Sequence, residues 1–444
     1  MAADDTKRFI GLSSFEILAM FRRGLFYAYL TIYLRHYLGL SVTATTLFAT
    51  LPMLVNVLSQ TFIWGRVSDR FQLRRSLMVT GEVFAALGTV AVWYLHRLPD
   101  TPRIAGFIII FGLTVVELFW SMSNISWSAL ISDLYGEGQR GSIQGRLTSM
   151  GGLGRIIGIW VGGVLYEGLG RHSAGWGFYH GDLFFVASGV MLISTLPLFL
   201  LPEGGIKSVA APASRDLSIS RAISGNLNIY FIFLAGMLMI NFGRNSIAII
   251  FPQYLTSASG PAVDSRTLSL ILNTQSAAIV GLGWFAGRIC RRWGTSATLL
   301  TATAAAAVAL LVLAGSDRLW LIYLASFVRG AADVAILASA YELASIFIPP
   351  LQRARRFAWF NATFFLSWGL PATLIVGPLV DYLIAHGYLE SIAYRISFGL
   401  AAGLVVVGLM IQGWLLFSIR PRSSFNAFHR WTGQPDKKIS DNGT

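Results

Sequence analysis

Apolar residues in this chain come in blocks of roughly twenty, each closed by a short run of Gly, Pro and charged residues, and that rhythm leaves few folds open. At about 1.5 Å per residue a helical block of this length crosses the 30 Å of bilayer hydrocarbon. Backbone groups in hydrocarbon have no water to bond to, so the blocks are expected to be helices. Six runs lie near 13–37, 43–64, 76–96, 104–132, 142–168 and 181–201, and six more near 226–256, 266–287, 297–315, 319–348, 356–385 and 392–419. Only 12% of the 444 residues are charged, against about 25% in a soluble domain. The expected fold is an all-α membrane protein of twelve spans.

Between the two sets, residues 202–225 are rich in Pro, Gly, Ser and Ala, without a long apolar run. The expected organisation is a six-helix bundle over 1–201, a cytoplasmic linker over 202–225, a second bundle over 226–419 and a polar cytoplasmic tail over 420–444. With both termini on one side, the loops and adjoining span ends of that side carry 22 Lys and Arg and those of the other side 7. The remaining five, Arg22, Arg23, Arg155, Arg244 and Arg329, fall inside spans. Positive loops stay cytoplasmic, so both termini are expected inside, and the net charge of +13 needs no nucleic acid to explain it. The amino terminus lacks a short apolar run with a small-residue cleavage site, so no removable signal is expected. One cysteine, Cys290, excludes an internal disulfide or a cysteine-based metal cluster.

The two sets repeat each other. At a shift of 221, Phe21, Arg23, Tyr33 and Leu34 fall on Phe242, Arg244, Tyr254 and Leu255. At 218, Gly65, Arg70 and Arg74 fall on Gly283, Arg288 and Arg292, and at 215 Arg140, Gly154 and Gly162 fall on Arg355, Gly369 and Gly377. Duplicated halves of this kind can rock about a site at their interface.

The loop after the second span reads Gly65-Arg66-Val67-Ser68-Asp69-Arg70-Phe71-Gln72-Leu73-Arg74-Arg75. It resembles the signature of the major facilitator transporters: Gly, three residues, Asp-Arg, then a basic cluster, between the second and third helices. The later copy at Gly283 and Arg288 is weaker, with Gly287 in the place of Asp69. The resemblance implies twelve helices in two pseudo-symmetric six-helix bundles, and a gating role for Gly65, Asp69, Arg70 and Arg74. Gly65 would let helices approach, and Asp69 could cap a helix and accept from an Arg. The bland reading is a purely topogenic basic loop. Gly154, Gly158, Gly162 and Gly163 form a stripe in the fifth span that suits close packing. The family's antiporter subgroup follows a comparable stripe with Pro, where this chain has Ile159.

An ionised side chain at bilayer depth costs at least roughly 2.5–3.5 kcal/mol, so each one needs a partner, a cavity or a substrate. Arg22, Arg23 and Arg244 lie mid-way along the first and seventh spans, with Asn241 and Asn245 beside Arg244. The run from Arg244 to Leu255 resembles the seventh helix of organophosphate:phosphate antiporters and related organic-anion carriers, which implies anion binding by these residues. The alternative is pairing with buried carboxylates. Glu117 and Asp333 fall at nearly corresponding points of the fourth and tenth spans. Each could carry a proton, or each could be held in a permanent salt bridge, Arg329 lying four residues before Asp333.

No phosphate-cradling Gly-x4-Gly-Lys-Ser/Thr loop and no His spacing for metal occur, so neither enzyme nor cofactor is expected. The leading reading is a secondary carrier working by alternating access, moving a small organic or phosphorylated anion, with protons as a candidate coupling ion. A proton-driven exporter of amphipathic compounds is the alternative, and a non-transporting scaffold or receptor a third. The expected setting is the lipid of a plasma membrane, bacterial inner membrane by its compact loops, with the chain a monomer.

Overall fold

A computed structural model describes residues 2–135, 137–204, 227–283, 285–348 and 353–419. Most of the expected linker and the whole expected tail lie outside the described residues, as does the side chain of Asp69. All regular structure among the described residues is helical.

The first half contains α1 (Ala2–Ile32), continued by a π-turn at Tyr33–Tyr37; α2 (Val42–Ser59), continued by a second at Gln60–Trp64; and α3 (Gly65–Phe71). It goes on through α4 (Arg74–His96), α5 (Pro102–Leu134), α6 (Glu137–Tyr166), the short α7 (Trp176–His180) and α8 (Asp182–Ser194). The second half runs through α9 (Leu227–Ser246), α10 (Ile250–Thr256), α11 (Ser265–Gly283), α12 (Ala286–Trp293), α13 (Thr295–Gly315) and α14 (Leu319–Phe347). It ends with α15 (Arg353–Phe365), α16 (Gly377–Ala385) and α17 (Glu390–Ser418).

Local chemistry sets several ends. Ser41 caps α2, its Oγ accepting from the Ala44 amide at 3.2 Å. Pro102 opens α5, where a missing N–H is harmless. Asp264 accepts from the Thr267 amide at 3.1 Å at the start of α11, and the Thr267 side chain and backbone bonds hold its carboxyl below the usual range.

Among the described residues, nine helices are long and apolar enough to cross a membrane, or ten when Trp359–Trp368 and Ala372–Ala385, bent by 42° at their break, count as one span. Two more long helices, α1 and α11, lie where the first and eighth spans are expected. Both are less apolar than most of the others, α1 because it carries Glu16, Arg22 and Arg23, and α11 because it carries Asn273, Thr274 and Gln275. Large apolar side chains cover the outside, Leu374 at 67% exposed and Trp414 at 62% among them, as lipid-facing helices require.

Within the first half α1 packs on α6 and α4 on α5; within the second, α17 packs on α9 and α13, and α14 on α11 and α13. The glycine stripe explains the tightest of these pairs. A Cβ on Gly154, Gly158 or Gly162 would land on the carbonyls of Ile17, Phe21 and Leu25, one turn apart along α1. Only hydrogen at those positions lets the two backbones touch. The repeat is physical as well: Tyr33 and Tyr254, paired by the shift of 221, are both fully buried.

Between the halves, α6 lies on α11, α1 on α10, and α2 on α16 and the π-turn Ala372–Val376 before it. This seam has two unlike ends. The basic end carries the Gly65–Arg75 loop and α12; the far end carries the α1–α2 turn and the start of α17. Among the described residues, the hydrogen bonds that cross the seam run from about the level of Arg155 to the far end, and none ties the basic end. Arg35 donates to Glu390 Oε1 at 3.0 and 2.6 Å, and Asp381 accepts the Val42 and Thr43 amides at 2.8 Å each. Deeper, Gln253 donates to Thr45 at 2.9 Å, and Thr373 bonds Thr46 at 2.9 Å and Thr50 at 2.6 Å. Tyr29 and Ser269 share a bond of 2.5 Å, and Asn273 reaches the Ile156 carbonyl at 3.1 Å.

Candidate substrate and coupling site

Adjacent residues on a helix leave it about 100° apart, so Arg22 and Arg23 cannot share one environment. Arg22 turns into the first half and is 2% exposed. Its Nη1 lies 3.5 Å from Glu82 Oε2, and its guanidinium stands 3.8 Å from the ring centre of Trp120. The other oxygen of Glu82 accepts from Trp120 Nε1 at 3.0 Å and from Ser123 at 2.9 Å. Arg22, Glu82 and Trp120 therefore close on one another. A cation–π contact this deeply buried contributes about 2 kcal/mol. The nearest anion to Arg22, expected from sequence as a substrate ligand, is a carboxylate of its own bundle.

Arg23 stays half-buried. It stands 4.7 Å from the Trp120 ring centre and within electrostatic reach of Glu16, Glu117 and Arg155, with no carboxylate at ion-pair distance. Glu117, buried on α5, accepts from Asn56 Nδ2 at 2.5 Å, and Asn56 accepts in turn from Gln60 Nε2 at 2.7 Å. This polar ladder runs from the acid along α2 towards Gly65. Glu117 has no salt bridge.

In the second half, Arg244 donates from Nη1 to Asp333 Oδ1 at 2.9 Å and from Nε to Asn241 Oδ1 at 3.2 Å. Asp333 Oδ2 accepts from Gln275 of α11 at 3.1 Å. Of the two partners that sequence offered Asp333, the one at ion-pair distance is Arg244 rather than Arg329. Asn241 also meets Thr363 at 3.3 Å, and Asn245 donates to Ser367 at 2.6 Å. Asn245 thus fastens α9 to the broken span instead of facing a cavity. Asn241 and Arg244 do line a pocket, together with Tyr341, Asn361 and Phe364.

The signature loop sits at the basic end. Arg74 is buried, bonded to Ser68 and 3.3 Å from Asp133. Arg70 and Arg288 are exposed, each against the Phe next to it or three residues before it. A Cβ on Gly65 would meet only the carbonyl of Gln60, five residues back on its own chain, and one on Gly283 would meet nothing within 4 Å. No neighbouring helix presses on either glycine here.

Glu82 is the main omission of the sequence reading. A lone Glu seven residues into an apolar run carried the same signal as Glu117, and it is the partner Arg22 needed. Arg155 was counted inside a span but given no role.

Two helical halves meet around a polar seam that is tied at its far end. The sequence matches the Major Facilitator Superfamily over residues 12–258, more than half of the chain, which belongs to that superfamily. The chain is thus an integral membrane protein and a secondary transporter that binds small-molecule substrates. Among solved structures, a variant of the nucleoside transporter NupG superposes with a TM-score of 0.71 at 14% identity, covering 92% of this chain and 99% of that one. A bacterial homolog of the human lysosomal transporter Spinster gives 0.66 at 12%, over 93% and 97%. A bacterial metal transporter gives 0.61 at 10%, over 93% and 98%. At these identities the likeness is one of fold. Among curated proteins none matches the sequence.

Proposed function

We propose that this transporter works by alternating access, carries a small organic anion, and draws on protons taken up at Glu117. The observation that carries the reading is the set of hydrogen bonds that cross the seam at its far end, Arg35 with Glu390 and Asp381 with the first amides of α2 among them. The count of 22 basic residues against 7 supports a cytoplasmic basic end with both termini inside. The far end, on this reading the outer one, is then the closed end. Gly65, Asp69, Arg70 and Arg74, with the weaker copy at Gly283 and Arg288, form the gate that engages when the inner side shuts. In the present state Arg74 rests on Asp133 of its own half.

Charge partners separate the two candidate proton carriers. Protonating Asp333 would strand Arg244 beside a neutral acid, whereas Glu117 is held by an amide and can trade its charge for a proton without leaving a paired cation behind. Arg23, Arg244 and Asn241 face the substrate; Arg22 and Asn245 hold the bundles.

Proteoliposomes loaded for uptake of labelled succinate or glycerol 3-phosphate under an imposed pH gradient provide the test. Glu117→Gln should lose gradient-driven accumulation yet keep exchange between equal pools on the two sides. Asp333→Asn should lose both. Accumulation by Glu117→Gln that still follows the pH gradient overturns the assignment.

A further inference from the structure

Two guanidiniums in the seam have no anion of their own. Arg155 projects from α6 beside α1, where Gly24 is so close that a Cβ there would strike the Arg155 carbonyl. The glycine stripe holds this register along four turns, so residues 23 and 155 are neighbours by backbone construction. Both side chains are half-buried. Among the described residues neither makes a hydrogen bond from its side chain or an ion pair. Arg155 is within electrostatic reach of Arg23 in its own half and of Asp333 in the other, and the residue after it, Ile156, accepts from Asn273 across the seam at 3.1 Å. Glu16 and Glu117 act on Arg23 only through space. The other two candidate arginines are occupied, Arg22 by Glu82 and Arg244 by Asp333.

Two like charges side by side at membrane depth are unfavourable unless an anion joins them. A guanidinium offers planar, paired donors that match a carboxylate or phosphoryl group, and two can share one head. Within the proposed reading of an anion carrier, we infer that Arg155 and Arg23 together hold the anionic head of the substrate. Arg155 is then the specificity residue contributed by α6. The shared chemistry is a compact oxyanion. The Trp120 ring centre lies 4.7 Å from the Arg23 guanidinium.

Thermal shift and isothermal titration on the purified full chain test this, with succinate, glycerol 3-phosphate, inorganic phosphate and the cation tetraphenylphosphonium as probes. At least one anion should bind, and the arm that responds separates carboxylate from phosphoryl recognition. Arg155→Gln and Arg23→Gln should each weaken that anion at least about tenfold, the loss of a charge-assisted bond, while the double variant falls little further than either alone. Arg329→Gln should leave the affinity within about twofold. Should Arg155→Gln fail to fold, phenylglyoxal labelling of the unaltered chain, read by peptide mass spectrometry, replaces it: the anion should protect Arg155 and Arg23 together. An anion that binds Arg155→Gln as well as it binds the original chain, or that leaves Arg155 unprotected, overturns this site and spares the anion-carrier reading. Binding of tetraphenylphosphonium alone, or of no probe, overturns both.

Discussion

Arg22 and Arg244 lie at neighbouring points of the two repeats, one on α1 and one on α9, yet their surroundings differ. Arg22 is sealed with Glu82 and Trp120, both partners of the ion pair within 3% exposed. Arg244 is as deep, but its partner Asp333 is 28% exposed and shares a second bond with α11. By the shift of 221 the repeat of Arg244 is Arg23, and Arg22 is an added cation whose partner lies within its own half. A pair buried this deeply suits a scaffold. An open pair can respond to a ligand or to a moving helix.

The sharpest way to break that comparison is to remove each acid. Glu82→Ala leaves a buried, uncompensated guanidinium and should destabilise the protein by about 3–5 kcal/mol. A large fall in the melting temperature of detergent-purified protein, or loss of folded yield, would register it. Asp333→Asn keeps an acceptor for Arg244 and stands partly in the open, so its thermal shift should be much smaller while transport is lost. Equal melting losses in the two variants would mean that the halves do not divide the labour.

The glycines show the same divergence. Gly154 and Gly162 press α6 on α1 inside one half. Their repeat partners Gly369 and Gly377 press instead on Thr50 and Thr43 of α2, across the seam, where a Cβ would come within 2.6 and 2.9 Å of those Cα atoms. Gly158→Ala, driven against the Phe21 carbonyl, should therefore lower global stability by about 1–3 kcal/mol. Gly369→Ala should spare the melting temperature and loosen the far end. With Cys290→Ser as background, maleimide labelling of a Thr45→Cys reporter, fully buried while the far end is shut, should rise several-fold.

Much of this architecture was legible from sequence because lipid imposes a length and an apolarity that soluble folds do not. Most of the expected spans fall within a few residues of the helices, although α1 begins at Ala2, eleven residues before the expected start at 13, and the glycine stripe packs as its spacing required. The break at Gly369-Leu370-Pro371 was read as continuous helix, although both breakers stood in view; a span interrupted mid-membrane is tolerable only against a partner, and the partner, α2, is remote in sequence. Side-chain pairing was the least legible layer. Periodicity could place Arg22 at mid-membrane, but whether its head turned to Glu82 or to the seam depends on helix rotation, which no single run of residues encodes.

The smallest expected effect bears on the far end itself. Arg35 and Glu390 are 18% and 24% exposed as side chains and bridge at 2.6 Å, so solvent screens the pair and its contribution is about 1 kcal/mol or less. The same Glu390 also accepts from Ser257 at 2.8 Å, and Asp381 holds the first amides of α2 independently. Arg35→Gln should accordingly leave melting unchanged and raise Thr45→Cys labelling by no more than about fivefold. Asp381→Asn loses the favourable meeting of a carboxylate with a helix amino terminus and should raise labelling to a similar degree. If closure is shared among these contacts, the double variant multiplies the two effects. If labelling is already complete in Arg35→Gln alone, one ion pair holds the outer side, and the threonine contacts beneath it are passive.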